Sequence, residues 1–256
     1  MQVRSFGISH RGLIRDLNED RFLNCESEGL FLIADGMGGL AKGDVASRIA
    51  VETIETFIKK SRREDITWPI TYRRQHSMEE NRLLAAVSLA NWNIYNEMLR
   101  SPRSTPMGTT LVGFLVDGDR LILVNVGDSR AYLIRNRQIE QLTEDHSLVM
   151  EEVKKGHITP EEARHHPQRH VINRALGIFN KPEMDITTLE IQNQDLYLLC
   201  SDGLSDMVLD EEILSLVQSH ERQALSELGD ALIHLANERG GKDNITVVLV
   251  AFNEQD

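Results

Sequence analysis

The strongest constraint on the fold is a short apolar run, residues 30–34, that leads directly into the carboxylate of Asp35. Such a run bounded by turn residues is typical of a buried β-strand, so we expect Asp35 where that strand leaves the core. Glycines follow at positions 36, 38 and 39, and they allow the backbone to turn sharply or to approach another group closely. An Asp-Gly pair is also a common turn sequence, so this stretch alone does not establish a functional site.

A second apolar segment just upstream is predicted to form a hairpin with the first. Its strands are residues 21–25 and 30–34, joined by a polar turn. Asp20 precedes the first strand and Asp35 follows the second, so antiparallel pairing places these carboxylates side by side, near Glu19. Like charges this close repel one another unless a cation lies between them.

The rest of the chain alternates between helix and strand patterns. Apolar residues recur at helical spacing in four segments, which predicts helices at residues 42–60, 80–99, 211–218 and 224–238. Short apolar runs predict further strands at residues 109–116, 120–126, 130–135, 138–142, 185–191, 196–200 and 245–252. Because the helices come in two separate pairs, we expect two β-sheets covered by helices on both sides.

Residues 144–180 interrupt this pattern. The segment is polar and carries five of the nine histidines, at positions 146, 157, 165, 166 and 170. Such a cluster can bind a transition metal. Its spacing is irregular and acidic residues are interspersed, so we favour a mobile surface lobe over a metal site.

Five aspartates stand at predicted strand ends: Asp20, Asp35, Asp128, Asp202 and Asp243. Strand beginnings and ends meet at one edge of antiparallel sheets, and so many carboxylates cannot share a site of low dielectric constant without cations. Ligation by oxygen alone favours Mg²⁺ or Mn²⁺ over zinc, and several such ligands indicate two ions about 3.5–4 Å apart with an activated water. This arrangement suits the hydrolysis of phosphate esters. The alternative is that each aspartate caps its own turn independently.

Composition excludes several other classes. The net charge is −12 over 256 residues, which argues against a nucleic-acid-binding face. No apolar run approaches the ~18 residues that a membrane span needs. Cys25 and Cys200 lie in apolar runs without metal-ligand spacing and are interpreted as reduced core residues. We therefore expect a soluble, cytoplasmic protein, and we expect it to be monomeric.

Eight ordered motifs resemble those of the metal-dependent Ser/Thr protein phosphatases, the PPM or type 2C family, in its bacterial form. They are found at residues 12–20, 35–39, 108–110, 127–130, 143–147, 173–177, 201–203 and 243–246, and they cover nearly the whole chain. The resemblance implies an α+β fold, an αββα sandwich of two antiparallel sheets flanked by helix pairs. It also implies a single domain over residues 1–256, with a metal site at one end of the sheets and a flap at about residues 144–172.

The resemblance also assigns roles in a site with two Mn²⁺ or Mg²⁺ ions and a possible third. Asp35 would bridge the two ions, and the Gly36 carbonyl would bind one of them. The remaining ligands would be Asp202 and Asp243 on the other ion, Glu19 and Asp20 through bound waters, and Asp128, with Asp202, at the third ion. Arg15 would hold the substrate phosphate, a task for which a planar guanidinium is suited.

The sequence departs from the family pattern at three positions. Met37 stands where many eukaryotic members carry a histidine proposed as the general acid, so a metal-bound water, Asp20 or another group must protonate the leaving group. Leu40 and Asp44 replace a histidine and a glutamate that are common in bacterial members, and we interpret both as variation around the site.

The expected activity is hydrolysis of phosphoserine and phosphothreonine by direct attack of a metal-activated water, without a covalent phosphoenzyme. The substrates would be phosphoproteins, including a partner Ser/Thr kinase. One alternative is an inactive relative that binds phosphoproteins, against which the intact set Arg15, Asp35, Asp202 and Asp243 argues. Another is a hydrolase of small phosphoesters or nucleotides, although the nucleotide-binding Gly-Lys-Ser/Thr loop is missing from the sequence.

Overall fold

The strands at the centre of the fold are apolar on both faces. The computed structural model describes residues 1–38, 42–100, 106–221 and 224–253. In it, β10 (Leu196–Cys200) is buried throughout, and β11 (Ile245–Asn253) is buried up to its last residue. A strand with two apolar faces requires a sheet that is covered on both sides. Here a second sheet covers one face and helices cover the other.

Both sheets are antiparallel. The first has the order β1–β11–β10–β7–β8, where β1 is Gln2–His10, β7 is Arg130–Arg135 and β8 is Gln138–Gln141. The second has the order β2–β3–β5–β6–β9, where β2 is Asp20–Cys25, β3 is Leu30–Gly38, β5 is Leu111–Asp117, β6 is Arg120–Val126 and β9 is Asp185–Glu190. A short strand, β4 (Met107–Thr109), pairs with the far end of β3.

Two helix pairs enclose the sheets. α1 (Lys42–Arg63) and α2 (Met78–Arg100) pack on the second sheet, and α6 (Asp210–Ser219) and α7 (Leu225–Glu238) pack on the first. Shorter helices are α3 (Leu148–Lys154), α4 (Pro160–His165) and α5 (Asp202–Ser205). Among the described residues, none of the helices combines the length and the apolar character that crossing a membrane requires. The layers therefore follow the order α, β, β, α.

Tyr197 lies at the centre of the core between the sheets. Its ring makes edge-to-face contacts with Phe114 of the opposite sheet, at 5.4 Å between centroids, and with Phe252, at 5.7 Å. Its hydroxyl donates to Asp195 Oδ2 at 3.0 Å, so this buried polar group is satisfied. The three rings therefore pack the two sheets against each other at this point.

The predicted sandwich is confirmed, and so are the four long helices, with bounds that differ by a few residues. Three details differ from expectation. β1 was not predicted, residues 109–116 form two strands instead of one, and the polar segment 144–180 contains two short helices. His146 of that segment is buried, so its interpretation as part of a surface lobe is wrong.

Replacing Phe114 by Ala should destabilise the protein by about 3–5 kcal/mol, because it leaves a cavity between the sheets beside Tyr197. Urea denaturation followed by circular dichroism measures this as a lower midpoint. Phe179 is 62% exposed, so Phe179→Ala is the matched control and should change stability by about 0.5 kcal/mol or less. Equal shifts in the two variants would contradict a core that depends on the ring at position 114.

Candidate metal centre

β3 changes its pairing partner at Asp35. Before this residue β3 pairs with β5 as far as Ile33↔Val112, and after it Gly36–Gly38 pairs with β4. Asp35 itself lies opposite Asp20 of β2, which confirms that the hairpin places the two carboxylates side by side. The Asp35 N–H donates to Thr110 Oγ1 at 3.1 Å, and the Thr110 N–H donates to the Asp35 carbonyl at 2.9 Å. The strand therefore continues past Asp35 instead of ending there, and its path is fixed on both sides of the carboxylate.

Gly36 allows the start of α1 to approach β3 closely. A Cβ at this position would lie 2.1 Å from the Gly43 carbonyl oxygen and 2.6 Å from that of Glu19. The reverse also holds, because a Cβ on Gly43 would lie 2.5 Å from the Gly36 oxygen. The Gly43 N–H donates to Glu19 Oε1 at 3.0 Å, so the same contact orients the Glu19 side chain. Gly39 and Leu40 lie outside the described residues.

Asp20 lies behind the wall of the site and is 1% exposed. Its Oδ2 accepts hydrogen bonds from Ser201 Oγ at 2.9 Å and from Thr246 Oγ1 at 2.6 Å. Its Oδ1 is buried and has no hydrogen-bond partner among the described residues. Burial raises the pKa of Asp20 to about 6, and the hydrogen bonds from the two hydroxyls partly offset this rise. A buried acceptor without a partner is the kind of atom that a bound cation or water satisfies.

Asp202 and Asp128 approach from the first sheet and from the loop after β6. Asp202 begins α5 directly after β10, and its Oδ1 is also buried without a partner among the described residues. Burial, and then the charge of Asp128, raise the pKa of Asp202 well above its ordinary value. Burial and the nearby Asp145 raise the pKa of Asp128 to about 7, although Arg130 acts in the opposite direction. Asp35 shows the same effect, because burial and the charge of Asp20 raise its pKa strongly.

Arg15 provides a positive charge beside these carboxylates. Its Nη2 donates to Asp243 Oδ2 at 2.5 Å, and this hydrogen bond is the main reason that the pKa of Arg15 is raised. Roughly half of the Arg15 side chain is exposed, so part of the guanidinium faces the solvent. Only one of its donors is used in this contact, which leaves others for an anionic ligand.

Asn244 connects Asp243 to the loop that carries Arg15. Its N–H donates to Asp243 Oδ1 at 2.8 Å, and its Oδ1 accepts from the Glu19 N–H at 2.8 Å. Its Nδ2 donates to the carbonyls of Arg11 and Leu17, both at 2.9 Å. Sequence reasoning missed this residue, because an asparagine beside an aspartate is also an ordinary turn pair.

The predicted residues converge on one cavity of about 490 Å³. Seven of the eight line it: Arg15, Glu19, Asp35, Gly36, Asp128, Asp202 and Asp243. The eighth, Asp20, does not line the cavity and is the cross-strand partner of Asp35. Independent turn caps do not account for this convergence or for the mutual effects on pKa. An all-oxygen set of this kind suits hard divalent cations such as Mg²⁺ and Mn²⁺.

Two further residues border the same cavity and were not predicted as site residues. Ligand atoms of His170, Asp202 and Asp206 lie within 4.8 Å of one another. Asp206 follows Asp202 by four residues, a spacing of one helical turn that could have indicated it. His170 Nδ1 lies 3.2 Å from Asp206 Oδ2, so one histidine of the polar segment does reach the acidic cluster. Met37 also lines the cavity.

Comparisons with known proteins agree with this geometry. The family model for protein phosphatase 2C matches residues 9–249. The serine/threonine phosphatase stp of Listeria welshimeri is 39% identical over 251 residues, which cover 95% of this chain and 93% of that protein. The crystal structure of the Mycobacterium tuberculosis serine/threonine phosphatase PstP/Ppp superposes with a TM-score of 0.85 at 39% identity, covering 98% of this chain and 99% of the other. The catalytic domain of PstP in complex with two manganese ions superposes with a TM-score of 0.81 at 38% identity, with the same coverage.

Replacing Asp202 by Asn should stabilise the metal-free protein at pH 7.5 by about 1 kcal/mol, or about 2–4 °C in Tm. The pKa of Asp202 is higher in the folded than in the unfolded chain, so this carboxyl favours folding at low pH and opposes it as the pH rises through the folded-state pKa. The gain should therefore be smaller at pH 5. Thermal unfolding in the presence of a chelator measures it.

Asp119→Asn is the matched control, because Asp119 is exposed in the turn between β5 and β6. Added Mn²⁺ should raise the Tm of the wild-type chain more than that of Asp202→Asn, since the variant loses a ligand charge. A Tm gain for Asp202→Asn that is the same at both pH values would contradict the electrostatic explanation.

Proposed function

The chain belongs to the protein phosphatase 2C family, and from this we propose that it is a metal-dependent protein phosphatase that hydrolyses phosphoserine and phosphothreonine. One observation carries the proposal. Carboxylates from both sheets line a single cavity in which a buried oxygen of Asp202 has no hydrogen-bond partner among the described residues, and an arginine stands beside them. Related proteins over nearly the same length are named serine/threonine phosphatases, and one was crystallised with two manganese ions.

Mn²⁺ or Mg²⁺ would be held by the carboxylates of the cavity. We assign Asp35, the Gly36 carbonyl, Asp202 and Asp243 to two ions, and Asp128 with Asp202 to a third. Support comes from the buried, unpartnered Oδ1 of Asp202 and from the raised pKa values, which show that the negative charges are poorly compensated by the protein alone. When bound, such ions supply the positive charge that makes a water nucleophilic and neutralises the phosphate oxygens.

Residues around the ions bind and orient the other groups. Arg15 would hold the phosphate through the guanidinium donors that Asp243 does not use. Glu19 is oriented by the Gly43 N–H and would act through water. Asp20 is too deeply buried to touch a substrate. It would therefore act on the reaction indirectly, by binding a water at Oδ1, which has no partner among the described residues. The proton for the leaving group would then come from a water, since Met37 offers no acidic hydrogen.

The cysteines do not suit a covalent phosphatase mechanism. Cys200 is fully buried, and burial raises its pKa to about 12, so very little thiolate forms near neutral pH. Cys25 ends β2, at the opposite end of that strand from Asp20. This supports hydrolysis by direct attack of water, and it leaves the carboxylate cavity as the catalytic centre.

We propose phosphorylated proteins as substrates, and a Ser/Thr kinase as one of them. The presence of Arg15 and Arg169 in the lining of a largely acidic cavity supports an anionic substrate such as a phosphate ester. We also propose that residues 1–256 act as one catalytic domain with residues 144–172 as its flap. Arg169 and His170 of this segment line the cavity, which supports a role at its entrance.

Asp35→Asn should lower Mn²⁺-dependent hydrolysis of a phosphoserine peptide by at least about 100-fold, because it removes the charge proposed to bridge two ions. Phosphate release with and without chelator measures the effect, and circular dichroism verifies folding. Asp119→Asn, exposed in the hairpin turn between β5 and β6, is the charge-matched control. Unchanged turnover in Asp35→Asn would exclude the two-metal assignment, and a wild-type chain that binds the peptide without hydrolysing it would favour an inactive relative.

Arg15→Ala should raise KM for the same peptide about 10–100-fold with a smaller effect on kcat, because it removes charge-assisted hydrogen bonds to phosphate and leaves the nucleophile in place. Steady-state kinetics over a range of peptide concentrations separates the two parameters. Arg120→Ala is the matched control, since Arg120 is an exposed arginine whose Nη2 pairs with Asp117 Oδ2 at 2.7 Å. A loss confined to kcat would contradict the assigned role.

A further inference from the structure

Exposed apolar side chains are concentrated around Arg15. Leu13 is 61% exposed, Ile14 is 69% exposed and Leu17 is 55% exposed. They are three of the eleven large hydrophobic side chains that are exposed in the described residues, and they lie within five consecutive positions. Exposed apolar residues that occur singly need no explanation, but a contiguous group beside a functional site indicates an interaction surface.

The backbone of this loop is fixed, so the exposure does not come from a loose coil. The N–H groups of Leu13 and Ile14 both donate to the Gly241 carbonyl, at 2.7 and 3.3 Å. The Asn244 side chain holds the Arg11 and Leu17 carbonyls at the two ends of the loop. A surface that is already ordered loses little conformational entropy when a ligand binds to it.

Glycine at position 12 makes this close attachment possible. Its φ is +76°, in the left-handed region, and a Cβ there would lie 2.1 Å from the Asp243 carbonyl oxygen. The loop is thus pressed against the segment that carries a proposed metal ligand. The exposure of Leu13 and Ile14 beside Arg15, which lines the cavity, therefore follows from the way this loop is attached to residues 241–243.

Arg15 reaches the cavity from the middle of this group. Consecutive Cα atoms are about 3.8 Å apart, and an extended peptide advances about 3.3 Å per residue. A substrate whose phosphate meets Arg15 therefore brings its neighbouring residues within reach of the loop that exposes Ile14 and Leu17 on either side of Arg15 in the sequence. Acidic neighbours would instead meet Asp16 of the same loop and the carboxylates of the cavity, which disfavours them.

We propose that Leu13, Ile14 and Leu17, here called the apolar rim, bind apolar side chains that flank the phosphorylated residue of a protein substrate. This inference rests on the proposed function, because it assigns a sequence preference to the same phosphatase site. The occupant is a segment of a phosphoprotein with an aliphatic residue within two positions of its phosphoserine or phosphothreonine.

The test compares two phosphoserine peptides of equal length and charge in the presence of Mn²⁺, one with leucine and the other with serine on both sides of the phosphoserine. For the wild-type chain we expect kcat/KM to be about five- to ten-fold higher for the leucine peptide, mainly through KM, because each partly buried leucine adds a modest hydrophobic contribution. In the triple variant Leu13→Ser, Ile14→Ser, Leu17→Ser this ratio should fall towards one. The conservative variant Ile14→Val should keep it.

Leu99→Ser is the matched control, because Leu99 is an equally exposed leucine, at 59%, that lies on α2 and not on the loop that carries Arg15. The proposed role of the apolar rim would be overturned if the wild-type chain showed a kcat/KM ratio near one between the two peptides. It would also be overturned if the triple variant kept the wild-type ratio, or if Leu99→Ser lowered it equally. Hydrolysis of p-nitrophenyl phosphate by the wild-type chain separates the two levels of inference. If the small ester is hydrolysed and the two peptides are hydrolysed equally well, the apolar rim is refuted and the phosphatase assignment stands. If none of the substrates is hydrolysed in a metal-dependent way, both proposals are refuted.

Discussion

Mutual repulsion among buried carboxylates is the constraint on which the rest of this structure depends. Asp20, Asp35, Asp128 and Asp202 each have a raised pKa, and in every case burial is the largest cause. Neighbouring carboxylates add to the effect at each of them. Without bound cations, the closeness of these carboxylates lowers the stability of the folded chain. With bound cations, the same carboxylates form a binding site. The carboxylate cluster is thus an electrostatic cost to the metal-free chain and, in the proposed function, the source of its affinity for divalent ions.

The surrounding fold holds these groups in place by hydrogen bonds to their backbone or to one carboxylate oxygen, so the other oxygens are the proposed metal ligands. Hydroxyls of Ser201 and Thr246 donate to one oxygen of Asp20, and the other oxygen has no partner in the part of the chain that the structure describes. Asp35 is held through its backbone, by the side chain and the N–H of Thr110. Strand pairing then fixes the distances, because Asp20 and Asp35 are direct cross-strand partners. Pairing within the sheet thus sets the positions of Asp20 and Asp35, and their negative charges remain available for ligands.

Antiparallel geometry explains why much of the site could be predicted from the sequence. Strand-end aspartates must meet at one edge, and the helical periodicity of α1, α2, α6 and α7 indicates which faces of the sheets are covered. β1 could not be predicted in this way, because its apolar residues divide between two layers: Val3 packs between the sheets, whereas Phe6 and Ile8 face α7 and its cluster. The depth of Asp20 and the meeting of His170 with Asp206 depend on packing between distant segments, which no local pattern encodes.

The two sides of the cavity are held with unequal strength. On one side Asn244 fastens the loop that carries Arg15 to Asp243 and Glu19, through four hydrogen bonds of 2.8–2.9 Å. On the other side the side chains of Arg169 and His170 lie 3.9 and 3.2 Å from Asp206, and partly exposed side-chain pairs of this kind contribute about 1 kcal/mol or less. The Arg15 side therefore presents a preformed surface, and a substrate gains specificity there at low entropic cost. In the proposed function the Arg15 loop would therefore recognise the substrate, and the side chains of Arg169 and His170, held by weaker contacts on a hydrogen-bonded backbone, would adjust to it.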